Sequence, residues 1–284
     1  MRAGRGRPAP SSLAERAPRV EVAGFVFRVT GLAAPDRAWL AERFAPFVSR
    51  RAPTVTVAVA ATEHYRPGRV PRPLATWHKG HFALASHPSR ATGDLAGRRV
   101  RFRVGPGPAL NPDLFRMLCG FLLAQAGGVL LHASAVVVRG RAWVFSGPSG
   151  SGKTTIAKLA GIRPVLNDET IALLPGRRAY TAHATPFYGS GGPAMACANR
   201  RAPLRGLCFL RKADRFSHRR LSPAETVARA FPEVMLPKRD PRVAAELLGA
   251  LAALAERTPA YDLAFAPRAE LWEYLDGLDR DGLG

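Results

Sequence analysis

The segment VFSGPSGSGKTTIAKLAG (144–161) restricts the fold more than any other part of the chain. Gly147, Gly152, Lys153 and Thr154 fill the pattern G-x-x-x-x-G-K-[ST]. The pattern has a structural meaning only between a strand and a helix, and here an apolar strand pattern precedes it and a helical pattern follows it. We therefore predict an α/β fold in which this loop joins a strand to a helix.

The chemistry of the loop indicates binding of a nucleotide polyphosphate. Glycines let the backbone bend around an anion so that successive N–H groups point inward, and the helix directs the positive end of its dipole at the same place. The lysine reaches the outer phosphates, and the Thr154 hydroxyl is suited to ligating Mg²⁺. We predict binding of ATP or GTP, with the two left open, through Gly147, Pro148, Ser149, Gly150, Ser151, Gly152, Lys153, Thr154 and Thr155.

The composition is that of a globular protein. The chain has 284 residues, of which 47% are hydrophobic, enough to bury a sizeable core. No apolar run approaches the roughly 20 residues that a membrane span needs. The N-terminal stretch carries arginines without the apolar block of a secretory signal, so we expect a basic disordered tail at 1–17 and a cytoplasmic location.

The net charge of +21 raises the question of nucleic-acid binding. The arginines are scattered through every segment, and no aromatic-rich RNA-binding motif accompanies them, so nucleic acid is not the predicted partner. An acidic peptide or a phosphate-bearing partner is compatible with the charge.

The other candidate ligands are ordinary in pattern. Cys119, Cys197 and Cys208 show no CxxC spacing, and we expect core thiols without a disulfide or zinc. His78 and His81 in HKGH lack an acidic or cysteine partner nearby, which favours exposed histidines at strand ends over a metal site. A lone histidine such as His183 is more often structural than a nucleotide contact.

Secondary-structure patterns divide the chain in two. Residues 18–108 show strand patterns at 21–31, 54–60, 75–86 and 98–104 around one helical pattern, which predicts a small α+β domain whose role stays open. A Gly/Pro-rich boundary precedes a second domain, 109–284, which opens with an apolar helix from Pro112. Ser222 with Glu225, and Asp240 with Pro241, predict the starts of two later helices.

Three residues outside the loop complete the candidate site. Asp168 and Glu169 follow the apolar strand RPVL, where one carboxylate can hold Mg²⁺ and the other can face an acceptor hydroxyl. Adjacent acids in a turn are also common in solvated loops. His132 lies in the apolar run VLLHASAVVV and shares a strand face with Ser134, so a core role and a site role both stay open.

Taken in order, LLHASAVVV, VFSGPSGSGKTT and LNDE resemble the catalytic core of the HPr kinase family, bacterial serine kinases related in fold to phosphoenolpyruvate carboxykinase. The resemblance implies a mixed-sheet P-loop kinase core. It implies that Asp168 takes the proton from the acceptor hydroxyl, that Glu169 binds the metal, and that His132 lies beside the phosphates with Lys153. By the same analogy the protein forms a homo-oligomer.

The chain departs from that family at two points. Glu169 stands where the family has a second aspartate, and the family's glycine-rich signature after the acidic pair is missing. HPr itself is therefore not the predicted acceptor. We predict an ATP- and Mg²⁺-dependent kinase that phosphorylates serine or threonine on a peptide or small protein, including a precursor-peptide-tailoring kinase.

Two alternatives stay open. A kinase acting on a small molecule such as an amino acid would have a closed pocket beside Asp168, whereas a peptide kinase would have an open groove, with Arg200, Arg201 and Arg205 as candidate lining. These arginines fit solvated turn residues equally well. A non-catalytic nucleotide-binding regulator would retain the same loop.

Overall fold

The computed structural model describes residues 17–61, 73–86, 89–94, 98–104, 112–188 and 198–281. The basic tail that we predict at 1–17 falls almost wholly outside these ranges, as do Cys197 and the domain boundary near residue 109. Within them the protein is a mixed α/β structure with two β-sheets and six α-helices.

The first sheet uses the strands β1 Arg19–Val22, β2 Phe25–Thr30, β3 Val55–Ala61, β4 Leu74–His78, β5 His81–Ser86, β6 Ser89–Asp94 and β7 Arg99–Val104. The second sheet uses β8 Val129–Val138, β9 Arg141–Ser146, β10 Val165–Asn167, β11 Thr170–Pro175, β12 Tyr180–His183, β13 Arg201–Lys212, β14 Ser217–Arg220 and β15 Ala260–Phe265. The helices are α1 Ala34–Arg43, α2 Pro112–Gln125, α3 Lys153–Lys158, α4 Pro223–Ala230, α5 Pro241–Arg257 and α6 Leu271–Asp281.

The first sheet has the order β1-β2-β3-β7-β6-β5-β4. Its central strands β2, β3 and β7 are parallel, and hairpin partners extend it at both edges. Strict alternation places Val100, Phe102 and Val104 on the buried face, because successive side chains of a strand point to opposite faces. The opposite face of β7 is exposed.

The second sheet curls on itself around strand β8. Strand β8 pairs with β11 and β9, β11 with β12, β12 with β13, and β13 with β9, so these five strands form a closed circuit. β10 pairs with residues 135–136 of β8. β15 pairs with β13, and β14 pairs with β15, so these two strands extend the sheet beyond β13. The circuit brings the end of β9 next to the turn between β10 and β11.

An aromatic cluster joins the two sheets through helix α2. Phe115 of α2 packs against Phe27, Phe44, Phe102 and Phe187, with ring centroids 5.0–6.4 Å apart. Phe121 on the same helix meets Phe82 of β5 at 4.8 Å. One continuous apolar core therefore contains side chains from both sheets.

A smaller core fixes the helix that follows the glycine loop. Trp272 of α6 is buried against Phe145 of β9, and its indole N–H donates to the carbonyl of Leu159 just after α3. The Arg163 guanidinium stacks on the Trp272 ring, 5.0 Å from its centroid. Because α3 has only six residues, this contact with α6 holds it in place more than its own hydrogen bonds do.

Several local predictions are confirmed. Ser222 and Glu225 form the capping box of α4, and the Asp240 carboxylate accepts from the N–H groups of Arg242 and Val243 at the start of α5. Cys119 and Cys208 are buried free thiols whose pKa burial raises. Among the described helices, none has both the length and the apolar character needed to cross a bilayer.

Other predictions need correction. Arg201 and Arg205 lie within strand β13, not in a turn, because residues 201–203 pair with β12. Strand β6, whose sequence SRATGD lacks an apolar pattern, is not predicted by the sequence and forms through its pairing with β5 and β7. The prediction of exposed histidines at strand ends is confirmed for His78 and His81, which face each other across the β4–β5 hairpin.

The buried imidazole of His183 makes the free energy of unfolding depend on pH. It is only 7% exposed, and burial, aided by the charge of Arg201, lowers its pKa from 6.5 to about 4, although Glu21 acts in the opposite direction. A pKa that is lower in the folded state means that protonation favours unfolding. This contribution to stability is therefore complete above pH 6.5 and is lost as the pH falls towards 4.

We expect wild type to lose on the order of 3 kcal/mol more stability than His183→Gln between pH 7.5 and pH 4. Urea unfolding at a series of pH values measures the difference, and His81→Gln on an exposed strand controls for the loss of an imidazole in general. Equal losses in wild type and His183→Gln would contradict the assignment of a buried neutral imidazole.

Candidate functional site

The glycine loop occupies the position that the sequence predicts. Strand β9 ends at Ser146, and α3 begins at Lys153. Gly147, Gly150 and Gly152 have positive φ values of 146°, 79° and 113°, which glycine adopts without the penalty that a side chain brings. The loop conformation thus explains why glycines stand at these positions.

Close packing adds a second requirement at Gly152. A Cβ atom there would lie 2.4 Å from Cζ of Phe265, a buried residue at the end of β15. At Gly147 a Cβ would lie 3.1 Å from Oγ of Ser151. The loop is therefore held tightly against β15 and against its own serine.

Lys153 is buried beneath the loop. Its ammonium donates to the carbonyl of Gly147 at 2.6 Å and to that of Pro148 at 3.2 Å. Burial lowers its pKa, whereas the charges of Glu233 and Glu169 raise it. The ammonium is thus held inside the loop and lies within the electric field of two carboxylates.

The acidic turn between β10 and β11 is organised by Asn167. The Asn167 amide donates to the carbonyl of Thr185 at 2.8 Å, and its oxygen accepts from the N–H groups of Glu169 and Thr170. The Thr185 hydroxyl donates in turn to the carbonyl of Thr170. Sequence reasoning did not identify Asn167, although an asparagine before a turn is the residue type that forms such bonds.

Asp168 is a buried carboxylate with an unused oxygen. It is 2% exposed, and its Oδ1 has no hydrogen-bond partner within the described structure. Burial raises its pKa, and the charge of Glu169 acts in the same direction, while its own backbone N–H and Lys158 lower it. A buried acceptor without a donor has a cost, which is typical of functional sites.

Glu169 and Glu233 lie on opposite sides of His132. The Nε2 atom of His132 is 3.4 Å from Oε1 of Glu169, and its Nδ1 atom is 3.5 Å from Oε2 of Glu233. The hydrogen bond from His132 lowers the pKa of Glu169 despite the opposing effect of burial. His132 thereby links the acidic turn to a third carboxylate.

Glu233 is a second site residue that the sequence did not predict. It ends a 3-10 turn, Phe231–Glu233, after α4. Tertiary contacts dock this turn on β8, since the N–H of Met235 donates to the carbonyl of Leu130 and Val234 forms a β-bridge with Leu131. The Lys238 ammonium holds the turn together by donating to the carbonyls of Pro232 and Val234. No local sequence pattern predicts the position of a carboxylate that depends on tertiary contacts.

The remaining residues that the sequence singles out are exposed on the loop, buried near it, or distant from the site. Pro148, Ser149, Thr154 and Thr155 are exposed on the loop or the start of α3, and Ser151 is buried with its hydroxyl unpartnered by described residues. Ser134 is buried two residues beyond His132 on β8, also without a described partner. His183, His78 and His81 lie elsewhere, the last two on the first sheet.

The donor set fits a polyphosphate with Mg²⁺. The glycine cradle, the buried ammonium, and the unpartnered Ser151 Oγ and Asp168 Oδ1 supply the groups that such a ligand uses. Within the described residues no group of three or more His, Cys, Asp or Glu side chains is arranged to hold a metal. Mg²⁺ is usually held by one or two carboxylates together with substrate phosphates.

The fold and the site together define a two-sheet α/β protein with a glycine loop beside a carboxylate–histidine cluster. The family model described as "SynChlorMet cassette protein ScmC" matches residues 118–278, which is more than half of the chain, and the chain belongs to that family. Comparison with curated proteins gave no match.

Among solved structures, the chain is similar to the Hpr(Ser) kinase/phosphatase from Coxiella burnetii. The identity is 11% and the TM-score 0.32, and the match covers 54% of this chain and 95% of that one.

Gly152→Ala tests the packing of the loop. We expect a loss of about 2–4 kcal/mol in the free energy of unfolding, because alanine brings strain at positive φ and a clash with Phe265. Gly150→Ala is the matched control, since φ is positive there but the space is open, and about 1–2 kcal/mol is expected. Denaturant unfolding measures both variants, and equal losses would contradict the close contact with Phe265.

Proposed function

We propose that the protein is an ATP- and Mg²⁺-dependent kinase that transfers the γ-phosphoryl group to a serine or threonine hydroxyl of a peptide or small protein. The observation that carries the proposal is that His132 joins the two halves of the site: its side chain contacts Glu169 of the acidic turn, and its carbonyl accepts from the hydroxyl of Ser146, the residue before the loop. The charges of Glu169 and Glu233 act on Lys153 in turn. A glycine loop is common to many nucleotide-binding proteins. A buried carboxylate with a free oxygen beside it favours transfer to an acceptor.

The loop side of the site provides the nucleotide-binding groups. In this proposal the backbone of Gly147–Gly152 and the Lys153 ammonium hold the β and γ phosphates, and the Thr154 hydroxyl and Glu169 hold the metal. When bound, Mg²⁺ supplies positive charge that neutralises the β and γ oxygens. Lys153 gives up its bonds to the carbonyls of Gly147 and Pro148 in exchange for phosphate oxygens.

Asp168 is the group proposed to receive the proton of the acceptor hydroxyl. Burial raises its pKa, which makes its carboxylate a stronger proton acceptor than an exposed aspartate. Oδ1 has no partner within the described structure and is free to accept a hydrogen bond from the acceptor. Most of the catalytic effect then comes from alignment of the hydroxyl with the phosphoryl group.

His132 and Glu233 are proposed to position Glu169. His132 contacts both carboxylates through its two ring nitrogens, so it restrains Glu169 in one orientation. Glu233 fixes His132 from the other side. The arrangement resembles the partners that hold ligating side chains in metal sites.

The acceptor is the least constrained part of the proposal. The family description names a cassette protein, which is compatible with a peptide or protein substrate supplied by the same cassette. A free amino acid as acceptor and a non-catalytic nucleotide-binding regulator are the competing functions. A cytoplasmic location and homo-oligomer formation belong to the same proposal.

Asp168→Asn tests the assigned base. We expect phosphoryl transfer to fall by about 10²–10⁴-fold while ATP binding is retained, because asparagine preserves the shape and removes the proton acceptor. Mass spectrometry of a serine-containing peptide from the same cassette, after incubation with enzyme, ATP and Mg²⁺, measures the transfer. Lys153→Ala is expected to weaken nucleotide binding itself.

Three outcomes decide among the functions. Transfer to free amino acids but not to peptides would support the small-molecule kinase. ATP binding with neither hydrolysis nor transfer to any hydroxyl would support the regulator. Wild-type transfer that Asp168→Asn leaves unchanged would overturn the role of Asp168.

Glu233→Gln tests the positioning carboxylate. We expect phosphoryl transfer to fall about tenfold with a higher Mg²⁺ requirement, because His132 loses the charge that orients it towards Glu169. Titration of activity with Mg²⁺ measures the effect. Glu256→Gln, at an exposed position on α5, is the matched control, and an unchanged Mg²⁺ requirement in Glu233→Gln would contradict the role.

A further inference from the structure

The outer face of the first sheet carries a concentration of arginines that the candidate site does not use. Strand β7 alternates so that Arg99, Arg101 and Arg103 are exposed while the residues between them are buried. Arg90 of β6 and Arg28 of β2 are exposed on the same face. These five residues form what we call the arginine face.

The strand register fixes the spacing of the arginine face. Arg99 lies beside Thr56 of β3, which in turn lies beside Arg28. Arg103 lies directly opposite Arg90 in an antiparallel pair. Along β7 the three arginines repeat at every second residue, which is about 7 Å in an extended strand.

Small side chains leave the face open between the arginines. Ala58 and Thr92 flank Arg101 on the neighbouring strands, and Ala83 follows on β5. These residues line an open depression of about 830 Å³ together with Arg99, Arg101 and His81. The depression therefore leaves room beside the long guanidinium side chains for another chain.

Within the described structure the arginine face carries more positive than negative charge, although Asp94 lies directly opposite Arg99 in the β6–β7 pair. None of the five guanidinium groups forms an ion pair with a described carboxylate. Asp94 is the one acidic residue among those that line the depression. Like charges that face each other across strands are unfavourable, as for Arg90 and Arg103.

The spacing and the charge indicate the chemistry of a partner. Alternate side chains of an extended peptide are also about 7 Å apart, so carboxylates at every second position match the row along β7. Each guanidinium offers a planar pair of N–H donors that suits a carboxylate. A second copy of the same face is excluded as partner because its charge is of the same sign.

A nucleic acid is less well matched. Single strands are held on sheets by aromatic side chains that stack on the bases. The outward positions of the described strands around the depression carry threonine, alanine, arginine, histidine and Asp94. Phe82 borders the depression but is only 3% exposed, and Phe102 is fully buried, so neither ring offers a surface for stacking.

We propose that the arginine face binds an extended acidic polypeptide segment with aspartate or glutamate at alternate positions. The proposal goes beyond phosphoryl transfer and holds whether or not the chain is a kinase, because binding requires neither nucleotide nor acceptor hydroxyl.

Fluorescence anisotropy of the full chain with a labelled peptide of alternating glutamate and threonine tests the proposal. We expect saturable binding that weakens at least tenfold between about 0.05 M and about 0.5 M salt. The triple variant Arg99→Gln, Arg101→Gln, Arg103→Gln is expected to bind about tenfold more weakly or worse, since three exposed charge pairs are lost. Arg177→Gln, Arg178→Gln, Arg215→Gln removes the same charge from exposed positions elsewhere and is expected to bind as wild type.

Two further probes make the result decisive. A peptide of alternating lysine and threonine is expected not to bind, and a single-stranded oligouridine is expected to bind more weakly than the acidic peptide. Equal weakening by the two triple variants would reduce the effect to net charge and overturn the proposal. Tighter binding of the oligouridine would overturn it in favour of a nucleic acid. Circular dichroism on heating confirms that each variant is folded.

Discussion

The candidate site depends on the side-chain amide of Asn167. Fully buried, this amide uses its donor on Thr185 and its acceptor on the N–H groups of Glu169 and Thr170. The bonds to the Thr185 carbonyl and the Thr170 N–H are buried, and leaving a buried polar group without a partner costs about 1–3 kcal/mol. The same bonds set the turn so that Asp168 lies inside the protein while Glu169 meets His132.

The carboxylates around this turn each have a hydrogen-bonding or cationic neighbour, which makes the cluster tolerable in a half-buried place. Glu169 and Glu233 are acidic, His132 lies between them, and Lys153 lies within the field of both. Asp168 is the exception, because burial and the neighbouring Glu169 both disfavour its charge. A buried carboxylate whose charge the surroundings disfavour lowers stability, and packing elsewhere in the protein compensates for it.

Local signals in the sequence predicted the parts of the structure that local physics determines. The alternation in RVRFRV gave β7, the apolar run after Pro112 gave α2, and Ser222 with Glu225 gave the capped start of α4. Strand β6 escaped prediction because pairing with both neighbours, not propensity, makes it a strand. Glu233 escaped for a related reason, since backbone contacts with β8 bring its 3-10 turn to His132.

The inner face of the first sheet packs in the core and the outer face is exposed, and this difference explains which residues each face carries. Through α1, which packs on the inner face, Phe44 meets Phe187 and Arg43 donates to the carbonyl of Tyr188. Residues 185–188 run from the Asn167 contact to these two, so the inner face supports the acidic turn from a distance. Packing demands therefore fix the apolar residues there. The outer face makes no comparable contact with the acidic turn within the described structure. The exposed arginines of β7 lie on this face.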